Sequence, residues 1–138
     1  MDNIDILRLH RQGLCCSQIM VRLVLDLMDR DNPDLVNFAR GLCLGQGSKG
    51  GTCGILSAGI CILSLYVPDD PDLDALLRDT FITDFRTLSG EATACGDITG
   101  PLYPQMDPER CGTLLSRAHD RLLEILAENG IDPADPDA

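Results

Sequence analysis

The sequence has few aromatic residues and no tryptophan. Of its 138 residues, 4% are aromatic, whereas 44% are hydrophobic. The core of such a chain must be built from Leu, Ile, Val, Ala and Met, and these side chains suit packed helices. The length is that of one ordinary domain, which can bury a hydrophobic core without needing disulfides for stability.

Positive charge is also scarce. Eleven Lys and Arg residues stand against 22 Asp and Glu residues, which gives a formal net charge of -11. A chain with this charge repels nucleic-acid phosphates and anionic lipid headgroups at long range. We therefore expect neither nucleic acid nor a membrane surface as a partner.

No hydrophobic run in the sequence is long enough to cross a bilayer. The most apolar stretch, 55–67, contains Ser57, Gly59 and Ser64, and it is shorter than the ~20 residues that a membrane span needs. The first residues, MDNIDILRLHRQG, carry two Asp and lack the basic beginning of a secretory signal. We expect a soluble, cytoplasmic protein of bacterial type without membrane insertion.

The chain has seven cysteines but no C-x-x-C pair. The missing pair argues against a thioredoxin-like mechanism and against zinc sites with closely paired ligands, and the missing C-x-x-C-H excludes covalent c-type haem. Seven cysteines are nevertheless unusual in a cytoplasmic chain. Such usage indicates metal binding or thiol chemistry more than structural disulfides.

Capping residues and apolar periodicity predict an all-α fold, a compact bundle of five to six helices. Asp2 or Asn3 can cap the first helix, and the pairs Asn32–Pro33, Asp70–Pro71 and Asp107–Pro108 each begin a later one. The predicted helices run from Ile4 to the Gly13 break, Cys16 to Asp29, Pro33 to Leu42, Ile55 to Val67, Pro71 to the Gly90 stop and Pro108 to Glu128.

The remaining segments predict how the chain is divided. A glycine-rich loop, 45–54, precedes the central apolar helix and delivers Cys53, and the stretch 91–106 is expected to be irregular. Residues 1–130 are predicted to form a single helical redox domain, and residues 131–138 a flexible acidic tail. The predicted buried face of the third helix comprises Leu35, Phe38, Ala39 and Leu42.

Three cysteines lie where a predicted helix begins: Cys16, Cys53 and Cys111. Unpaired amides and the helix dipole stabilise negative charge at a helix N-terminus, which lowers a thiol's pKa. We therefore expect thiolates at these positions, with Cys95 of the irregular stretch completing one site if the helix starts converge.

The other three cysteines are interpreted differently. Cys43 and Cys61 lie on apolar stretches and are expected to be small buried hydrophobic residues. Cys15 stays ambiguous, because adjacent helical residues point about 100° apart and Cys15 and Cys16 cannot both face one site equally well. His10 and His119 are isolated, and neither is a confident ligand.

The cysteine order resembles that of the C_GCAxxG_C_C redox-active family, which has one early cysteine, a CGAxxG motif and two later single cysteines. GLCCSQ supplies Cys16, CGILSAG supplies Cys53, ACGD supplies Cys95, and RCGTLLSRAHDRLLEIL supplies Cys111. Ile55 and Ala58 stand where the motif has Ala and Gly. The resemblance covers nearly the whole chain, and it implies a helical fold and redox activity.

Four thiols permit more than one chemistry. We favour an iron–sulfur cluster held by Cys16, Cys53, Cys95 and Cys111, which would serve electron transfer or sensing. The same four cysteines can instead form reversible disulfides without metal, and a structural zinc site is a third option. An acidic protein-interaction module with structural cysteines is an alternative from another class.

The expected partner is an unidentified redox protein. An electron carrier is favoured over a turnover enzyme, and a homodimer stays open because apolar helical proteins of this size often dimerise.

Overall fold

In the computed structural model, which describes residues 3–137, the chain folds into a bundle of α-helices. The helices are α1 (Asn3–Arg11), α2 (Cys16–Leu27), α3 (Pro33–Ala39), α4 (Gly54–Tyr66), α5 (Pro71–Ser89), α6 (Cys95–Thr99) and α7 (Arg110–Glu128). Single 3-10 turns follow α3, at Arg40–Leu42, and α6, at Gly100–Leu102. The all-α prediction is confirmed, but the predicted count of five to six is too low, since seven helices are described. The additional helix, α6, forms inside the stretch that was expected to be irregular.

Capping residues explain where two of the helices begin. The Asn32 side chain accepts a hydrogen bond from the Leu35 amide at 3.1 Å, and Asp70 does the same for Leu73 at 3.0 Å. A proline follows each cap, where its missing N–H costs nothing. These two predicted starts are confirmed, whereas the cap predicted at Asp2 lies outside the described residues.

Helix α4 lies at the centre of the bundle, where it contacts α2, α5 and α7. Gly59 makes the α5 contact close, because a Cβ atom built there would lie only 2.2 Å from the ring of the fully buried Phe81. The glycine that interrupts the apolar stretch is thus required by packing.

The apolar face predicted for the third helix is partly wrong. Ala39 is buried, but the Phe38 side chain is 80% exposed. Helix α3 has only seven residues and packs on the bundle mainly through α2. The side of α3 that carries Phe38 therefore faces solvent.

The described residues contain no helix that is both long and apolar enough to span a bilayer. The domain boundary at residue 130 stays a prediction. Segment 131–137 does contact the bundle, since the Tyr66 hydroxyl donates to the Pro133 carbonyl at 2.7 Å and Arg30 pairs with Asp137 at 2.9 Å.

His119 is buried on the inner face of α7, with an exposed fraction of 1%. Neither ring nitrogen has a hydrogen-bond partner in the described part of the chain, and Oδ1 of Asp120 lies 4.0 Å from Nδ1. Burial lowers the pKa of His119 from 6.5 to about 4, outweighing the Asp120 carboxylate, which raises it. Helix α7 therefore packs around a neutral imidazole.

Acidification is expected to destabilise the fold through His119. Because its pKa is lower in the folded state, the unfolded state takes up the proton first, and stability is lost as the pH falls from 6.5 towards 4. At pH 5 the loss from this residue amounts to about 2 kcal/mol. The free energy of unfolding, measured with urea at pH 7.5 and at pH 5, should decline by about 2 kcal/mol less in His119→Leu than in the wild type.

The other histidine provides the control for this measurement. His10→Gln should keep the full wild-type decline between the two pH values. Equal declines in the wild type and in His119→Leu would show that the buried imidazole does not govern acid stability.

Candidate redox site

The four cysteines of the predicted site all lie at the beginning of a helix. Cys16 is the first residue of α2, Cys53 is the N-cap of α4, Cys95 is the first residue of α6 and Cys111 is the second residue of α7. The sequence predicted this position for three of them. Cys95 joins them because a short helix forms where none was expected.

Two loops pair to bring Cys53 and Cys95 together. An isolated antiparallel bridge links Thr52 to Ala94. The Cys53 amide donates to the Thr93 carbonyl at 2.7 Å, and the Cys95 amide donates to the Gly51 carbonyl at 2.8 Å. These hydrogen bonds hold the start of α4 beside the start of α6.

The glycine-rich loop is tightly folded, because its glycines allow close backbone approach. A Cβ atom at Gly51 would lie 1.9 Å from the Gly45 carbonyl oxygen, and one at Gly96 would lie 2.7 Å from the Lys49 carbonyl oxygen. The Tyr103 hydroxyl also donates to the Leu44 carbonyl at 3.1 Å. The loop therefore positions Cys53 firmly against α6.

Thr99 links two of the thiols and was missed by the sequence analysis. Its buried hydroxyl oxygen lies 3.6 Å from the sulfur of Cys95 and 3.6 Å from the sulfur of Cys111. Thr99 follows Cys95 by four residues, which is one helical turn. The spacing places Thr99 beside the Cys95 sulfur only if the segment is helical, and the sequence did not predict a helix there.

The pKa values of Cys16 and Cys111 shift in opposite directions, because a hydrogen bond between the two side chains favours the thiol form of Cys16 and the thiolate form of Cys111. This hydrogen bond, with a smaller contribution from Thr99, lowers the pKa of Cys111 from 9.0 to about 6 although the residue is buried. The same hydrogen bond and burial raise the pKa of Cys16 well above its ordinary value. One proton is thus held between the two sulfurs near neutral pH.

Burial outweighs the helix terminus at the other two thiols. It raises the pKa of Cys53 to about 11, although the amides of Ile55 and Leu56 act in the opposite direction. Burial also raises the pKa of Cys95, against the hydrogen bond from Thr99. The expectation that a helix start yields a thiolate is therefore wrong for Cys53, where desolvation is the larger effect. It is also wrong for Cys16, whose pKa is raised by the interaction with Cys111 and by burial.

Of the other three cysteines, Cys43 and Cys61 differ from the prediction, and Cys15, which the sequence left ambiguous, is bonded to Cys43. The sulfurs of Cys15 and Cys43 are joined in a disulfide, with the two Cα atoms 6.0 Å apart. Cys61 is exposed on the outer side of α4. The prediction that Cys43 and Cys61 are small buried hydrophobic residues is wrong, because the first is half-buried and bonded and the second faces solvent.

The spacing of the side chains around the thiols decides whether they could hold a metal ion as they stand. Among residues 3–137, no group of three or more His, Cys, Asp or Glu side chains lies close enough to hold a metal ion. The hydroxyl of Thr99 lies near the sulfurs of both Cys95 and Cys111. As arranged, the described side chains do not form a ready-made metal site.

A cleft of about 590 Å³ opens beside the site, between the end of α5, α6 and the start of α7. Asp97, Ile98, Arg110 and Arg117 are among its lining residues, whereas the four cysteines are not. Cys53, Cys95 and Cys111 are each at most 6% exposed, but Cys16 is partly exposed. Cys16 is therefore the most exposed residue of this set.

Comparison with curated proteins and with solved structures finds no match for this chain. A family model described as "Putative redox-active protein (C_GCAxxG_C_C)" matches residues 14–125. The matched segment includes the four cysteines and the loops that join them, and it spans most of the chain. This protein therefore belongs to the C_GCAxxG_C_C family of redox-active proteins.

Proposed function

We propose that the protein is a thiol–disulfide redox protein in which Cys16 and Cys111 are the reacting pair. Two features support this most directly: both residues lie at the start of a helix, and their interaction lowers the pKa of Cys111 while it raises that of Cys16. Membership of a redox-active family agrees with such a role.

The exposure of the two residues assigns their roles. Cys16 is partly exposed, so its sulfur attacks a disulfide of the partner after passing its proton to the Cys111 thiolate. One partner sulfur leaves as a thiolate and takes that proton, and a mixed disulfide remains on Cys16. The buried Cys111 thiolate then attacks the Cys16 sulfur, and the second partner thiolate leaves and takes a proton from water.

This sequence of steps is balanced. Two electrons pass from the dithiol pair to the partner disulfide, which becomes two thiols, while a Cys16–Cys111 disulfide forms. Cys53 and Cys95 remain reduced in this scheme, because burial keeps both protonated.

A small aromatic disulfide such as DTNB tests the assignment by releasing a coloured thiolate. All proteins should carry Cys61→Ser, which removes the exposed thiol outside the site. With Cys16 and Cys111 intact, two thiolates should be released and a Cys16–Cys111 disulfide should appear in peptide mass spectra. Cys111→Ser should release one thiolate and retain the mixed disulfide on Cys16. Absence of the Cys16–Cys111 disulfide, or of the adduct trapped on Cys16, would refute the proposal.

An iron–sulfur cluster held by the same four cysteines is the second candidate. It is favoured by the effect of the other three cysteines on Cys16, since negative charge on Cys53, Cys95 or Cys111 raises the pKa of Cys16. The sulfurs would have to rearrange to share a cluster, because no three metal-binding side chains among the described residues lie close enough to hold an ion. Iron and sulfide analysis after anaerobic purification separates the candidates, because the dithiol function predicts neither in stoichiometric amount.

A further inference from the structure

The Cys15–Cys43 disulfide is separate from the four cysteines that match the family pattern. Cys15 is the N-cap of α2, and Cys43 follows the 3-10 turn after α3. The bond therefore fastens the end of the α3 segment to the start of α2. Both residues are only half-buried, whereas Cys53, Cys95 and Cys111 are buried.

A buried serine contacts both sulfurs of this disulfide. The Ser17 hydroxyl oxygen lies 3.3 Å from the Cys15 sulfur and 3.0 Å from the Cys43 sulfur, and the hydroxyl donates to the Ala39 carbonyl at 2.7 Å. A serine hydroxyl has one proton and two acceptor lone pairs. Because the proton is given to Ala39, the oxygen can act only as an acceptor towards the two sulfurs.

These contacts suit the reduced form of the pair. Disulfide sulfurs carry no hydrogen, so they cannot donate to Ser17. After reduction, both Cys15 and Cys43 carry an S–H group, and each can donate to the Ser17 oxygen beside them. The site is therefore built to stabilise the dithiol as well as to permit the disulfide.

We propose that Cys15 and Cys43 form a second redox site, a reversible dithiol–disulfide couple that is reduced by an external dithiol. A thiolate of the external dithiol attacks one sulfur of the Cys15–Cys43 bond, and the other cysteine leaves as a thiolate and is protonated. The second external thiol then displaces the first cysteine. Two electrons and two protons pass to Cys15 and Cys43, and the external dithiol becomes a disulfide.

The experiment measures the equilibrium between the folded protein and dithiothreitol at graded ratios of its reduced to its oxidised form. All proteins carry Cys16→Ala, so that Cys15 is the sole cysteine of its peptide and the Cys16–Cys111 couple is absent. The result is thus independent of the function proposed above. Acid quenching, alkylation and peptide mass spectrometry then give the fraction of Cys15–Cys43 disulfide at each ratio.

In the protein that retains Ser17, the Cys15–Cys43 bond should be reduced reversibly while the circular dichroism remains that of the folded state. Ser17→Ala should lower the equilibrium constant for reduction roughly tenfold, because two weak hydrogen bonds to the thiols are lost. Ser17→Thr, which keeps the hydroxyl, should restore most of it. Ser57→Ala is the matched control, since the Ser57 hydroxyl donates to the Cys53 carbonyl at the start of α4 and contacts neither sulfur of the couple.

Two results would overturn the proposal. Reduction of Cys15–Cys43 only in denaturant would make the bond a purely structural disulfide, and this test needs no Ser17 variant to fold. A Ser17→Ala constant equal to that of the Ser17 protein would show that the hydroxyl does not stabilise the dithiol.

Discussion

Replacing Cys16 by alanine is expected to remove most of the thiolate that the protein contains at neutral pH. The hydrogen bond from Cys16 is the largest cause that lowers the pKa of Cys111 to about 6. Without it, burial acts against the smaller contribution of Thr99, and the pKa should return to its ordinary 9.0 or above. At pH 7 the thiolate fraction of Cys111 should therefore fall by a factor on the order of 100.

Thiolate absorbance at 240 nm, followed from pH 4 to pH 10, measures this directly. The wild type should show a step equivalent to one thiolate near pH 6, and Cys16→Ala should show it only at alkaline pH. Cys61→Ser should leave the step in place, because Cys61 lies on the outer side of α4 away from the pair. A step near pH 6 that persists in Cys16→Ala would mean that Cys111 is not activated by Cys16.

The magnitude of this effect shows why the sequence could locate the thiols but not their charge. Helix starts at Cys16, Cys53 and Cys111 are readable from breaks and caps, because capping depends on residues close in sequence. Thiol pKa values depend on burial and on sulfur neighbours, which come from distant segments. Cys53 and Cys111 thus share a helix-start position and differ in pKa by about 5, from about 11 to about 6.

The elements that the sequence analysis missed have a similar origin. Helix α6 has five residues and no side-chain cap, so little in its own sequence predicts it. Its position follows from the pairing of Cys95 with Gly51, a contact between residues far apart in the chain. The Cys15–Cys43 bond likewise joins residues 28 positions apart, and no local pattern indicates such a contact.

The glycine-rich loop was predicted, but its role was not. Glycine content indicates a loop, and the structure adds that Gly45 and Gly51 lie against one another with no room for a side chain. The Gly51 carbonyl accepts a hydrogen bond from the Cys95 amide. The contact between Gly45 and Gly51 therefore also fixes the position of Cys95. The loop therefore fixes the positions of Cys53 and Cys95 relative to each other.

Gly51→Ala should consequently destabilise both the fold and the site. The added Cβ would lie 1.9 Å from the Gly45 oxygen and 2.7 Å from its carbonyl carbon, and backbone atoms cannot move aside as a flexible side chain can. We expect the free energy of unfolding to fall by about 3 kcal/mol, at the upper end of the range for overpacking. Urea unfolding measures this, and alkylation of the native protein should become faster at Cys53 and Cys95.

Gly50→Ala is a matched control for this substitution. It adds the same methyl group one residue earlier in the same loop, where nothing lies within 4 Å of the new atom, and neither glycine has a left-handed φ. Its stability should stay within about 0.5 kcal/mol of the wild type, and alkylation at Cys53 and Cys95 should not change. If the two variants behaved alike, the approach of Gly45 to Gly51 could not be what holds the two thiols in place.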